Sequence, residues 1–370
     1  MTHDSMGANA APNDAAIDAI RDAVVRAGET RRALRIVGGG TKDFYGESLE
    51  GRVLDVRPVA GIVDYDPTEL VIVARAGTPI DEVERTMASA GQMLAFEPPR
   101  FAPGGTLGGA VASGLSGPRR PYAGAVRDLV LGAKVVDGRG RHLAFGGRVM
   151  KNVAGFDVSR LMCGAMGTLG VLTEVSLKCL PRPKAEETRV WELPSDEAIR
   201  RVNEWGGQPL PISATCWHHG TLAVRFSGAP SAVAAALAKL GGTPVPHADA
   251  FWAGVRDHVH TFFHAAARGR HPLWRLSVKS TAAHADFGGE QLIEWGGALR
   301  WLAATPKTDV AKLRAWAAAQ GGHATMFRAN EPLAGAFHPL PPTMAGLHRR
   351  LKAAFDPNAI LNPGRTSWYG

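Results

Sequence analysis

Three glycine-rich turns, each attached to an apolar run, constrain this chain more than any other feature. They are GGGTK at 38–42, APGGTLGGAVASGLSG at 102–117 and GAMGTLG at 164–170. Glycine gives up side-chain packing and costs backbone entropy, so such clusters need a backbone job. Successive N–H groups in turns of this kind form anion-binding nests, and a helix N-terminus adds to the field. Without a Cβ the backbone can also lie against a pyrophosphate or a flat ring. A lone triplet is an ordinary tight turn; three clusters of one character between residues 38 and 170 are harder to assign to turning alone. Two familiar nucleotide motifs are excluded. A Walker A loop needs G-x-x-x-x-G-K-[ST], whereas Asp43 follows Lys42 here. The G-x-G-x-x-G fingerprint fails because Asp43 stands at the third glycine position after Gly38 and Gly40.

The chain has 370 residues, too many for one typical core, so two domains are expected. No apolar run approaches the roughly 18 residues of a membrane helix. The first residues lack the basic and apolar regions of a secretory signal, and 1–14 read as a disordered leader. Cys163, Cys179 and Cys216 form no C-x-x-C pair, so neither a disulfide framework nor a self-contained zinc or iron–sulfur site is expected. This usage suits a reducing cytoplasm. The net charge of +8 comes from scattered arginines, with runs no longer than Arg119-Arg120 and Arg349-Arg350. A basic surface for an anionic cofactor, substrate or partner is the economical reading, and a nucleic-acid binder the remote one.

Helical spacing over 14–27 is followed by strand-like runs at 33–37, 52–56 and 69–76. Thr78 as cap, Pro79 at N1 and the acids Asp81 and Glu82 open a helix that Gly91 closes. The runs 129–136 and 141–145 flank Asp-Gly-Arg-Gly as a hairpin, and 170–180 is a further strand. Pro181 and Pro183 mark the domain boundary. Beyond it, 222–228 and 273–279 alternate as half-buried strands, and alanine-rich 231–240 and 311–319 read as helices. The tryptophans concentrate here, from Trp191 onward.

In their order and spacing, RIVGGGTK (35–42), VARAGT (73–78), EPPRFAPGGTLGGAVASGLSG (97–117) and its continuation to 140, KNVAGFDVSRLMCGAMGTLGVLTEVSLKCLP (151–181) and FDPNAILNPGR (355–365) resemble the FAD-binding PCMH-type domain of the vanillyl-alcohol-oxidase family. The likeness covers 15–183 and the tail. LWRLSVK (273–279), IEWGGALRWLAA (293–304) and FHPLPP (337–342) are similar to the FAD-binding E-type subunits of bacterial glycolate oxidases. The resemblance implies an α+β fold: a PCMH-type two-subdomain FAD-binding domain over 15–183, an α+β cap with an antiparallel sheet over 184–342, and a segment 343–370 returning to the FAD domain. It implies oxidation of glycolate or D-lactate to the 2-oxo acid beside a D-type flavoprotein subunit and an iron–sulfur F-type subunit. It also implies a cytoplasmic protein, in contact with the inner face of the membrane only through partners.

Carried over by position, the resemblance assigns Gly38, Gly39, Gly40 and Thr41 to the first pyrophosphate loop and Thr106, Gly108 and Gly109 to the second. Ala112, Ser113 and Gly114 take the start of the following helix. Gly164, Gly167, Thr168, Gly170 and Val171 meet the adenosine half, Lys151 and Asn152 lie near the ring, and Asn362, Gly364 and Arg365 belong to the returning tail. The first loop has no histidine, so the FAD is expected to be non-covalent. The H-x-G-D-G-N-like segment of metal-dependent relatives is absent, so no metal is expected, and Phe156 replaces a common tyrosine.

Oxidising a 2-hydroxy acid needs a cation for the carboxylate and a base for the hydroxyl proton. Arg225, Arg275, Lys279 and Arg300 are the candidate cations, with Arg275 and Lys279 on one strand face. Their bland alternative is a solvated sheet face. His258, His260 and His264 place 260 and 264 on one face of a helix, and His218-His219 follow Trp217. Packing or surface roles are the simpler reading of all five, and no base stands out. Trp295 and Trp301 read as core or interface anchors. Two other functions stay open: an FAD-containing relay or assembly subunit without substrate chemistry, and a stand-alone oxidase of another alcohol or hydroxy acid.

Overall fold

The computed structural model describes residues 12–48, 50–147, 157–267, 271–330 and 335–368. The first subdomain is built on the parallel pair Leu34–Val37 and Arg52–Asp55. Ile17, Ile20, Val24 and Ala27 repeat along one face of the helix Pro12–Thr30 and pack on Leu34, Leu54, Val56 and Val59. The helix therefore begins two residues before the end of the expected leader; residues 1–11 lie outside the described residues. The tail closes this unit. Leu34 bridges Leu361, and the Leu34 N–H donates to Ile360 O at 2.7 Å.

The second subdomain is a five-stranded antiparallel sheet in the order Ile62–Asp66, Val71–Arg75, Val171–Lys178, Val130–Val136, His142–Gly146. The central strand Val171–Lys178 is buried along all but its last residue, and Val171, Leu172, Val175 and Leu177 supply its core contacts. The edge strand Ile62–Asp66 escapes the sequence reading because Asp64 and Asp66 interrupt its apolar alternation, as solvent-facing edges allow. The helix Ile80–Ala88 packs Ile80, Val83 and Met87 onto the sheet. Its cap differs from expectation. Pro79 is the N-cap residue, and the Thr78 hydroxyl bonds instead to Arg75 O (2.7 Å) and Gly61 O (3.1 Å).

An eight-stranded sheet forms the cap and opens with Ala185–Glu192. Its strand pairs are antiparallel. The helices Ser195–Gly206, Pro230–Leu240 and Val310–Ala319 cover it. An ionic knot ties the cap to the first half of the chain. Arg119 and Glu97 come from the first half, Glu186 and Arg225 from the cap. Arg119 donates to Glu186 (2.6 Å) and Arg225 to Glu97 (2.8 Å), with Ser213 and Ser227 completing the donors and acceptors. Arg225, one of the candidate substrate cations, is thus engaged between domains and unavailable to a carboxylate. Removing one member of such a buried set strands its partner's charge.

Candidate active site

The site is a branched cleft between the parallel pair, the five-stranded sheet, the tail and the cap. The loop after Leu34–Val37 forms one wall, and its glycines first serve the loop opposite. A Cβ on Gly39 would stand 1.9 Å from Gly104 O, and one on Gly38 would stand 2.5 Å from Thr106 Oγ1. The two loops abut backbone to backbone, which only residues without side chains permit. Among the described residues, the backbone N–H groups of 39–42 have no protein acceptor.

One compartment of the cleft is lined by Gly38 to Asp43, Tyr45, Thr106, Gly109, Ala112, Ser113, Asn362 and Arg365. It continues past Gly108, Gly167 and Gly170 into a second space. Past Lys42 and Thr106 it opens towards the segment 98–105 and Val259. A train of narrow compartments suits an extended dinucleotide better than a compact ligand.

The tail completes the wall. Asn362 accepts the Ile36 N–H through Oδ1 and donates through Nδ2 to Met166 O, both at 2.7 Å. One side chain so joins the first strand, the 164–170 turn and the tail. Arg365 donates through Nη2 to Lys42 O and Asp43 O at 3.1 Å. Its Nη1 is buried without a partner among the described residues, and burial lowers its pKa to about 10. Lys352 anchors the tail from beneath, donating to Thr168 O, Asp356 Oδ2 and Leu361 O.

Gly114, Gly164, Thr168, Val171 and Gly364 lie outside the lining of these compartments. Ala112, Ser113 and Gly114 close the helix Leu107–Ser113 rather than open it, because Thr106 is its N-cap and accepts the Gly109 N–H. Gly114 packs on Gly164, where a Cβ would come within 2.8 Å of the Gly164 Cα; neither residue lines the compartments. Thr168 and Val171 are buried in the core, and Gly364 turns the tail beside Ser48. Lys151, Asn152 and Phe156 lie outside the described residues.

The cap side presents an aromatic wall. Phe44, Phe101, Trp301 and Phe327 meet edge to face. His258 stacks on Phe263 with ring centroids 3.8 Å apart, and burial holds it well below its usual pKa. It ends the helix Ala248–Asp257 in a left-handed conformation, and His260 caps the short helix Thr261–Phe263, so His260 and His264 do not share a helix as expected. A narrow pocket holds Arg275, Glu294, His258 and Trp301 together. Glu294 Oε1 accepts the Trp301 indole N–H at 2.7 Å. Burial pushes Glu294 up to about 8, against that hydrogen bond and the nearby charge of Arg275.

Arg275 lies over Trp295 at 5.2 Å, and Arg120 lies over the same indole at 4.4 Å. The charges of Arg275 and Arg365 both act on the buried Tyr45 phenol, whose pKa burial raises. Tyr45 lines the cleft and packs on Phe327, which borders the Arg275 pocket. Lys279 lies beyond the strand Leu273–Ser277 and is exposed, so it shares no face with Arg275. Arg300 is buried and bonded to the carbonyls of Gly297, Ala283 and Ala282, on the Trp316 side. Glu294, Tyr45 and Arg120 were invisible to motif reasoning because three separate elements deliver them.

Two family models match: the FAD binding domain over 15–146 and the C-terminal domain of FAD linked oxidases over 340–366. The glycolate oxidase subunit GlcE of Escherichia coli is 47% identical over 347 residues, 94% of this chain and 96% of that one. The chain belongs to the GlcE family. Within it, the loops at 38–42 and 104–109 are parts of an FAD-binding fold. The glycolate oxidase subunit GlcD of Bacillus subtilis is 33% identical over 138 residues, 37% of this chain and 29% of that one. A solved alkyldihydroxyacetonephosphate synthase superposes with a TM-score of 0.62 at 17% identity, over 94% of this chain and 75% of that one, which establishes the fold.

The residues present fit FAD. The unpaired N–H groups of 39–42 and the orphaned Arg365 Nη1 are donors of the kind phosphate oxygens accept. Bound there, FAD supplies a two-electron acceptor. No helix among the described residues is long and apolar enough to cross a membrane.

Proposed function

We propose that this chain is the FAD-binding subunit of a glycolate oxidase, oxidising a small 2-hydroxy acid such as glycolate or D-lactate to the 2-oxo acid. The observation that carries this reading is the 47% identity to GlcE along nearly the whole of both chains. The site is compatible with it. Arg275 is the cation for the substrate carboxylate, in a pocket whose Phe327 packs on Tyr45 of the cleft. FAD would supply the two-electron acceptor for the carbinol hydrogen, and the hydroxyl proton would leave to solvent, giving the C=O bond. The FAD is held non-covalently, since residues 38–46 contain no histidine. The electrons then pass to a D-type flavoprotein and an iron–sulfur F-type subunit of the same complex, on the cytoplasmic side.

A second reading is that the FAD of this chain relays electrons without its own substrate chemistry. It is favoured by the engagement of Glu294 with Trp301 and of His258 with Phe263, which leaves no evident base in the Arg275 pocket. Anaerobic addition of glycolate or D-lactate to the purified flavoprotein separates the two. Bleaching of the flavin band near about 450 nm places oxidation in this subunit. A band that stays oxidised, in a chain that is reduced only when its partners are present, supports the relay.

A further inference from the structure

The tip of the cap hairpin gathers three ligating side chains that the FAD site does not use. His218 ends the strand Ile212–His218, and His219 and Gly220 turn into Thr221–Gly228. Glu290 begins the neighbouring strand Glu290–Glu294. His218 Nε2 lies 2.6 Å from Glu290 Oε1, and His219 Nε2 lies 2.9 Å from the same oxygen. The ligating atoms of all three lie within 4.8 Å of one another.

Consecutive strand residues point to opposite faces. Here they do not, for a backbone reason. His218 pairs with Leu292, and Glu290 stands two residues from Leu292 on the same face. His219 has φ 46°, a left-handed conformation uncommon for a residue with a Cβ, and it brings the second imidazole round to Glu290. A non-glycine residue in this region costs free energy that surrounding structure must offset, yet this one lies beside an open surface.

We propose that His218, His219 and Glu290 form a binding site for a divalent cation of the zinc class. Two imidazoles and one carboxylate are a recurrent zinc set, with a fourth position left to water or an incoming donor. A tetrahedral ion about 2.0–2.1 Å from each ligand sets the ligand atoms roughly 3.3 Å apart. The present contacts need open by less than about 1 Å, at side chains that are 74% exposed (His219) and 39% exposed (Glu290). His260 stands edge-on to His218 with ring centroids 5.1 Å apart, and its Nδ1 accepts the Phe262 N–H, so it borders the site without ligating. The cation would tie the hairpin tip to the neighbouring strand. None of the three ligands lines the cofactor compartments, so the site is independent of the proposed function.

The test uses the untagged full-length flavoprotein, titrated with zinc chloride by calorimetry and, separately, with cobalt(II) by visible absorption. One equivalent of zinc should bind, and cobalt(II) should develop the intense absorption of a tetrahedral site. His219→Gln and Glu290→Gln should each weaken zinc binding at least about tenfold, with flavin content and circular dichroism unchanged. Substoichiometric zinc in the parent protein, or unaltered affinity in both variants, overturns the proposal and leaves a hydrogen-bonded surface cluster only. Because both substituted side chains are exposed, the variants should fold. The cobalt spectrum of the parent protein decides the matter if one does not.

Discussion

A Cβ on Gly39 would stand 1.9 Å from the carbonyl oxygen of Gly104, so the two loops that flank the cofactor cleft are in direct backbone contact. Gly39→Ala cannot be accommodated by a rotamer change, because the obstacle is backbone. We expect flavin retention after gel filtration to fall at least about tenfold, while the core, which this loop does not build, keeps its circular dichroism. Stoichiometric FAD in the variant would show that the loops can separate without loss of the cleft.

Arg275 and Arg300 are neighbours across the sheet but differ in what they face. Arg275→Met should leave flavin bound and raise the apparent KM for the 2-hydroxy acid at least about tenfold, since a bidentate carboxylate partner is lost. Arg300→Met should leave KM alone and lower stability by about 2–3 kcal/mol, because three buried carbonyls lose their donor. Steady-state kinetics beside denaturant unfolding checks the pair. The reverse pattern would exchange their roles.

Glu294 titrates at about 8 in the fold, above the ordinary carboxylate range, chiefly through burial. The folded state therefore holds a proton that the unfolded chain releases earlier. The sign follows directly: stability falls as pH rises from the ordinary carboxylate range through about 8 and levels off above it. Glu294→Gln can still accept the Trp301 N–H and should lack this slope. Thermal unfolding from about pH 5 to about pH 9 should show the variant gaining on the parent protein as pH rises. Parallel curves would mean Glu294 is ionised throughout, paired with Arg275.

Lys352 and Asp356 form a buried pair at 2.7 Å, and Asp356 also accepts the N–H groups of Ile360 and Leu361. Lys352→Met leaves the carboxylate without its counter-charge beneath the tail that carries Asn362 and Arg365. We expect a loss of about 3–5 kcal/mol in stability and weaker FAD retention. Double substitution with Asp356→Asn should recover part of the stability. Full stability in the single variant would remove the pair from the account of how the tail is held.

The glycine clusters, their order and the apolar runs beside them determine the FAD-binding fold, because backbone turns and strand burial are encoded within short stretches. The failures share one cause. The sequence does not show that Gly38 and Gly39 are required by Gly104 and Thr106 before any ligand is considered, since that contact joins loops some 65 residues apart. Nor does it show which arginines are available. Of the three candidate arginines, Arg225 is bound by Glu97 from the first half of the chain and Arg300 by carbonyls, while Arg275 lines a pocket with Glu294, His258 and Trp301. The His218, His219 and Glu290 cluster has no linear signal, because Glu290 arrives from another strand and His219 turns only through its left-handed backbone. Local sequence sets propensities and burial periods. Which polar groups meet, and which stay unpaired, is decided by where the assembled sheets bring them.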